Sequence, residues 1–271
     1  MSDTKQQAGA DWSIVLAYYN EADFLPDTLQ SLAAQKMRGF RLILVDNASK
    51  DNSTALAHQI MDAHPDIRTT YLTQTTPGQI HALRMGVEAV ESPFVCIMDA
   101  DTHYPPHYLE EADRAFRRGG AGVVGVMATD IYADPEAGAS LWKRARTALI
   151  SRVLRGQAHT GGYAYAFRTE VLKKAGNYDV ERWPFVLSDH EMVHRVLKFG
   201  RTVYPFGHWC QPSTRRPDDP ATRWSLGERL VYNLTPYFMK DWVMYRFLAR
   251  RFEARRMAHT NYREQNWKKP D

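Results

Sequence analysis

The stretch Phe94-Val95-Cys96-Ile97-Met98-Asp99-Ala100-Asp101 (FVCIMDAD, 94–101) sets the reading of the whole chain. Five apolar residues follow one another without alternation, as in a strand buried on both faces of a parallel sheet. The run then ends abruptly in two acids one residue apart. Open α/β sheets bind ligands outside the carboxyl ends of their strands. The stretch therefore predicts a central strand that delivers Asp99 and Asp101, a D-x-D pair, to a ligand-binding edge.

The residues before it supply the rest of such a sheet. WSIVLAY (12–18), FRLILVD (40–46) and IRTTYL (67–72) read as strands. Helices are predicted over 23–35, from the NASKDNST segment to Ala63, and over PGQIHALRMGVEAV (77–90), with apolar residues at helical spacing. Strand and helix in strict alternation imply a parallel sheet covered on both faces. The second half is less regular. Helices are predicted over 108–118, 137–154 and 187–199, and from 222 onward. Strands are predicted at AGVVGVMAT (121–129), GGYAYAFR (161–168) and RTVYPF (201–206), with a short helix after 168 closed by Gly176.

Composition narrows the function. Nine Lys/Arg stand against three acids between 240 and 269, while the rest of the chain holds 26 basic and 28 acidic side chains. The body is not basic, which argues against nucleic acid as a partner. Cys96 and Cys210 are too few for a disulfide framework, as suits a reducing compartment. No apolar leader opens the chain and no run approaches the ~20 residues of a membrane span, so a cytoplasmic protein, soluble or peripheral, is expected.

Carboxylates flanking a turn suit a hard divalent cation, Mg²⁺ or Mn²⁺, that in turn holds a diphosphate. Asp46, closing the second strand, either caps the next helix or accepts hydrogen bonds from a nucleobase or ribose. Three other patterns fail on context. Gly120-x-Gly122-x-x-Gly125 lies within a strand instead of opening a helix, and no Walker-type loop is present. His190-Glu191-x-x-His194 has zincin spacing, but the metzincin extension would place Gly at 197 and His at 200, where the chain has Leu197 and Gly200, and no downstream glutamate appears until Glu228, past a strand and a proline-rich loop. The histidines are read as ordinary helix positions.

Five segments together, SIVLAYYNEADFLPDTLQSL (13–32), LILVDNASKDNS (42–53), FVCIMDADTHYPPHYLE (94–110), GGYAYAFRTEVLKKAGNYD (161–179) and LSDHEMVHRVLKFG (187–200), resemble glycosyltransferase family 2 in order and spacing. The likeness covers roughly residues 12 to 206. It implies an α/β GT-A fold, Rossmann-like, with a mixed, mostly parallel sheet flanked by helices and a C-terminal helical extension. It implies inverting transfer of a sugar from a UDP- or GDP-linked donor to a carbohydrate or lipid-linked acceptor hydroxyl, in polysaccharide or glycolipid synthesis, with Mg²⁺ or Mn²⁺. By this resemblance Ala17, Tyr19, Glu21, Asp46, Arg84 and Asp99 line the nucleotide, Asp101 and His208 hold the metal, and Asp189 is the catalytic base. Gly161, Gly162, Glu191, Arg215 and Arg216 are candidates for the diphosphate or the acceptor. The chain departs from the family pattern at Ser188, Arg84 and Ala17, where an acid, an asparagine and a proline are common. The implied division is a disordered 1–10, a catalytic domain 11–210 with a nucleotide-sugar half (11–105) and an acceptor half (106–210), and a basic, aromatic extension 211–271.

In that extension Phe238, Trp242, Tyr245 and Phe252 alternate with Arg246, Arg250 and Arg255. The pattern suits a helix on anionic lipid, packing on the catalytic lobe, or a homodimer contact. Rival readings of the whole are a nucleotidyltransferase, which would want a basic glycine-rich loop after the first strand, and a non-catalytic nucleotide-sugar-binding protein at the membrane surface.

Overall fold

The computed structural model describes residues 11–153, 164–214 and 224–263, with 262 and 263 as backbone alone. The first half runs β1 (Trp12–Tyr18), α1 (Leu25–Ala33), β2 (Arg41–Asp46), α2 (Ser53–Asp62), β3 (Arg68–Thr73), α3 (Gln79–Glu88) and β4 (Phe94–Asp99). All seven residues of β1 are buried because it has a parallel strand on each side, β2 and β4. α3 lies close on this sheet because Gly86 faces it: a Cβ there would come within 2.4 Å of Val15 Cγ1. Next come β5 (Thr102–His103), α4 (Tyr108–Gly119), β6 (Val123–Met127), β7 (Thr129–Asp130), α5 (Gly138–Val153), β8 (Ala164–Arg168), α6 (Thr169–Lys174), α7 (Ser188–Val196), β9 (Arg201–Val203) and β10 (Trp209–Pro212).

The main sheet has the order β3-β2-β1-β4-β8-β6-β9, and β5-β10-β7 form a smaller one. β8 enters between β4 and β6 antiparallel to both; the remaining pairs of the main sheet are parallel. Alternate residues of the strands face two cores. Ile14, Leu16, Leu42, Leu44, Cys96 and Met98 pack under α1, α2 and α4. On the other face Val15, Ala17, Ile43, Val45, Val95 and Ile97 pack under α3, α6 and α7.

The C-terminal extension contains α8 (Leu226–Leu234) and α9 (Lys240–Trp242), which continues through a π-helical turn (Val243–Leu248) into α10 (Ala249–Ala254). It is not a detached arm. Val243, Met244, Leu248, Phe252 and Met257 bury against Trp183 and Val186 as a third core. Ala258 bridges Phe185, and His259 N–H donates to the Pro184 carbonyl at 3.0 Å. Tyr245, Phe252 and Arg255 thus face the protein, because Tyr245 donates to Glu191 and Arg255 pairs with Glu228 at 2.8 Å.

Two boundaries differ from expectation. The strand expected over 201–206 stops at Val203, before the Pro205 that cannot donate to a ladder. β10, unexpected in a segment ending in proline, forms the middle strand of the small sheet, between β5 and β7, and spans the expected 210/211 boundary. Residues 1–10 lie outside the described residues.

Candidate functional site

Register brings the rim together. Ala17 pairs with Asp99 across β1 and β4, and Tyr18 pairs with Asp46 across β1 and β2. Asp46 and Asp99 therefore end strands two apart, roughly 10 Å at the usual strand spacing. Asp46 accepts from Ser49 N–H (2.8 Å) and from the Thr54 hydroxyl (3.1 Å). Thr54 also meets the Tyr18 hydroxyl at 3.2 Å, and burial first of all pushes that phenol up to about 12. The Tyr19-Asn20-Glu21 turn is laced to the loop after β2. Asn20 is left-handed (φ 52°), its N–H donates to Ser49 Oγ, and its side-chain carbonyl accepts from Lys50 N–H. Glu21 N–H donates to the buried Ser53 at 2.7 Å, and the Glu21 carbonyl accepts from Phe24 and Leu25 at the start of α1. Tyr19 is partly exposed at this rim, whereas Glu21 is buried.

The D-x-D turn is fixed from three sides. The buried Tyr104 hydroxyl accepts from Asp99 N–H (2.9 Å), Thr28 Oγ1 donates to the Ala100 carbonyl (2.9 Å), and Ser213 donates twice to Asp101, from Oγ to Oδ2 and from N–H to the carbonyl, each at 2.9 Å. Gln79, opening α3, donates to Asp99 Oδ1 at 3.2 Å. Asn47 holds the loop before it by donating to the Gln74 and Thr76 carbonyls and accepting from Gly78 N–H at 2.9 Å. Gly78 has φ 126°, a backbone that side chains resist, and a Cβ there would lie 2.6 Å from the His259 ring. The extension thus props the entry to α3.

Asp189 stands in the first turn of α7, where a carboxylate is favoured by the helix dipole. The preceding Leu187 takes the left-handed conformation, φ 62°. The Tyr165 hydroxyl donates to Asp189 Oδ2 at 3.4 Å, and Tyr165 pairs with Ile97, two residues before Asp99. The buried Tyr178 hydroxyl reports the same neighbourhood. Burial raises it well above the ordinary phenol range, and the charges of Asp189 and then Asp99 raise it further. Asp189 and Asp99, carried on two elements, thus both act electrostatically on one hydroxyl.

Three expected site residues lie elsewhere. Arg84 points off α3 to the Tyr178 carbonyl (3.0 Å) and to Glu88 (3.0 Å); it lies more than a turn along the helix from Gln79, which does reach the rim. Glu191 is buried, forked by the Arg195 guanidinium at 2.8 Å on both oxygens and capped by the Tyr245 hydroxyl. Arg195 also donates to the Ala175 and Asn177 carbonyls, so this pair ties α7 to the loop after α6. His208 is wholly buried against the Tyr108 ring, centroids 4.1 Å apart, with neither ring nitrogen hydrogen-bonded, and burial lowers it to about 3. It precedes Ser213, the partner of Asp101, by five residues along β10, roughly 16 Å of extended chain. The structure does not bring it to Asp101. Gly161, Gly162, Arg215 and Arg216 fall outside the described residues.

The zincin-like spacing resolves as expected of a coincidence. His190 packs edge-on against Trp224 and Tyr232, while His194 holds Asp241 at 2.6 Å, so both histidines face the extension. Among the described residues no cluster of three or more His, Cys, Asp or Glu is placed to hold a metal. Asp99 and Asp101 still fit a hard cation, because Mg²⁺ is commonly held by one or two carboxylates with substrate phosphates supplying the other oxygens.

This fold, with acids gathered at the carboxyl ends of a mostly parallel sheet, is that of the GT-A class. A mannosyltransferase from Pyrobaculum calidifontis, solved with GDP-Man and Mn²⁺, superimposes with a TM-score of 0.64 at 19% identity, over 87% of this chain and 65% of that one. TarS of S. aureus, solved in one form with UDP-GlcNAc, gives 0.58 at 17% identity over 90% and 73%. The chain belongs to glycosyl transferase family 2, whose family model matches residues 13–176, more than half its length. Among curated relatives, an uncharacterized glycosyltransferase of Nostoc is 31% identical over 42% of this chain, the teichoic acid poly(glycerol phosphate) polymerase of Staphylococcus epidermidis 33% over 36%, and a poly-beta-1,6-N-acetyl-D-glucosamine synthase of Staphylococcus aureus 30% over 36%. The matched stretches span 35%, 14% and 24% of those relatives' own lengths.

Proposed function

We propose that this chain transfers a sugar, with inversion, from a UDP- or GDP-linked donor to an acceptor hydroxyl during the synthesis of a polysaccharide or glycolipid. The observation that carries the reading is the donation of the Tyr165 hydroxyl to Asp189, because Tyr165 on β8 pairs with Ile97, two residues before Asp99 on β4. Family membership and the nucleotide sugars bound by structural neighbours support the donor class.

In this reading Tyr19 stacks on the base, Asp46 accepts from it and Asp99 faces the ribose. Asp101, held by Ser213, and Asp99 hold a Mg²⁺ or Mn²⁺ ion; Arg84, Glu191 and His208 take no part. An ion held there would offset charge on the departing diphosphate. Asp189 takes the proton of the acceptor hydroxyl as it attacks from the face opposite the diphosphate, and the Tyr165 hydroxyl orients that carboxylate. Arg215 and Arg216 remain candidates for the diphosphate, and Gly161 and Gly162 for the acceptor. Released UDP or GDP, measured with a panel of nucleotide sugars and Mn²⁺, is the direct test. Metal-dependent release from at least one UDP- or GDP-sugar is expected; release from none, or equal release in EDTA, contradicts the proposal.

A lipid surface is the setting that the extension supports. Leu226, Leu230 and Leu234 repeat at helical spacing along α8 and are 75%, 51% and 77% exposed; Phe238 and Trp242 follow at 83% and 51%. No described helix is long and apolar enough to cross a membrane. Peripheral binding at the cytoplasmic face, with arginines such as Arg246 and Arg250 beside this apolar row, gives a lipid-linked acceptor access to the rim. Co-sedimentation with phosphatidylglycerol vesicles that is lost in Leu230→Glu/Phe238→Glu is expected. Concentration-dependent dimerisation lost in that variant would assign the face to a second copy instead.

A further inference from the structure

At the far side of the sheet, α4, α5 and β9 enclose a cleft of about 300 Å³. β9 runs parallel to β6, and β8 is antiparallel to both β6 and β4, so β9 points the same way as β4. Arg201, which opens β9, therefore lies at the edge opposite Asp99. Four guanidinium groups line the cleft: Arg114 and Arg118 from α4, Arg152 from α5, and Arg201. Glu111 is the acid among the lining residues, and it pairs with Arg114.

Two of the other charges are less balanced. Among the described residues the Arg118 and Arg201 guanidiniums have neither an ion pair nor a hydrogen bond, although Arg117, beside Arg118, pairs with Asp113 at 2.6 Å. A cation in the last turn of a helix complements its dipole. That accounts for Arg118 on α4, but not for the convergence of Arg152 and Arg201 from two other elements. Like charges lining one concavity focus its field and concentrate anions there. Planar guanidinium forks match phosphate oxygens bidentately.

We propose that this cleft binds a phosphate group, on a soluble phosphate ester or on a lipid headgroup, at a site separate from the sugar-transfer rim. The test compares the full chain with Arg118→Ala/Arg201→Ala in EDTA, so that a metal at the rim plays no part. Inorganic phosphate is expected to raise the melting temperature of the wild type, and the double variant to lose at least half of that rise; in a separate titration with Mn²⁺ and no EDTA the double variant keeps its metal-dependent nucleotide binding. Co-sedimentation with phosphatidylglycerol vesicles separates the sources: equal sedimentation of both proteins assigns a soluble phosphate, and loss in the variant a lipid headgroup. No rise with phosphate in the wild type, or an equal rise in both proteins, overturns the proposal whatever the vesicles show. Because the rim is not involved, failure here leaves the transferase reading standing, and failure of that reading leaves this cleft intact.

Discussion

Asp99–Asp101 and Asp189–Glu191 are two acid pairs of the same spacing, and the fold uses them in opposite ways. At the end of β4 the chain leaves the strand in a turn, so both acids stay at the rim, each partly exposed. On α7 the same spacing turns through about 200° of helix. Asp189 faces Tyr165 and the rim, while Glu191 is carried round into the protein. There Arg195, four residues on and so on the same face, closes a buried ion pair with it. Acid spacing alone therefore says little; the backbone that carries it decides which carboxylates meet a ligand.

The sharpest way to break this contrast is to neutralise Asp189. Asp189→Asn is expected to slow transfer by about 10²- to 10⁴-fold, the usual contribution of a positioned base, while nucleotide affinity stays within a few-fold. Full activity would remove Asp189 from the chemistry. Glu191→Ala attacks the other half. Leaving Arg195 buried without its partner is expected to destabilise the fold by about 3–5 kcal/mol in urea unfolding. An unchanged midpoint together with lost transfer would place Glu191 at the rim after all.

A smaller effect concerns His208, which belongs with the buried set. Its folded value of about 3 lies below the unfolded 6.5, so on acidification the unfolded chain takes up the proton first. Its contribution is fully present above pH 6.5 and is lost as pH falls toward 3, roughly 2 kcal/mol between pH 6.5 and 5. His194 and His259 are lowered mainly by burial and act in the same direction. His208→Leu is expected to flatten that part of the stability profile without touching metal-dependent nucleotide binding; loss of the binding would restore His208 to the metal site.

The donor half was legible in the sequence because each of its strands is an apolar run and each acid sits where a run stops. Periodicity located β1 to β4 within a residue or two, and so located Asp46, Asp99 and Asp101. The residues that fix those acids left no such trace. Ser213 reaches the D-x-D turn because β5 and β10 pair antiparallel, a contact between segments more than a hundred residues apart, and Tyr104 reaches it because the chain folds back on itself just after the turn. Gln79 reads as any helix-opening glutamine until register sets α3 beside β4. The roles expected of Arg84, Glu191 and His208 came from positions in a family pattern, whereas long-range packing gives each of them other neighbours in the structure. The basic, aromatic tail was ambiguous for a similar reason. Its composition suits both an interior face and an outward one, and the extension has both: Phe252 and Tyr245 inward, Phe238 and Trp242 outward.

The most direct test of the central claim, that one rim acid serves the ligand and another the chemistry, is a calorimetric titration of UDP and GDP with and without Mn²⁺ into the wild type, Asp101→Ala and Asp189→Asn. The account requires Mn²⁺ to tighten binding of at least one nucleotide in the wild type and in Asp189→Asn, and to have no effect in Asp101→Ala. Metal-enhanced binding that survives in Asp101→Ala, or that disappears in Asp189→Asn, would contradict it.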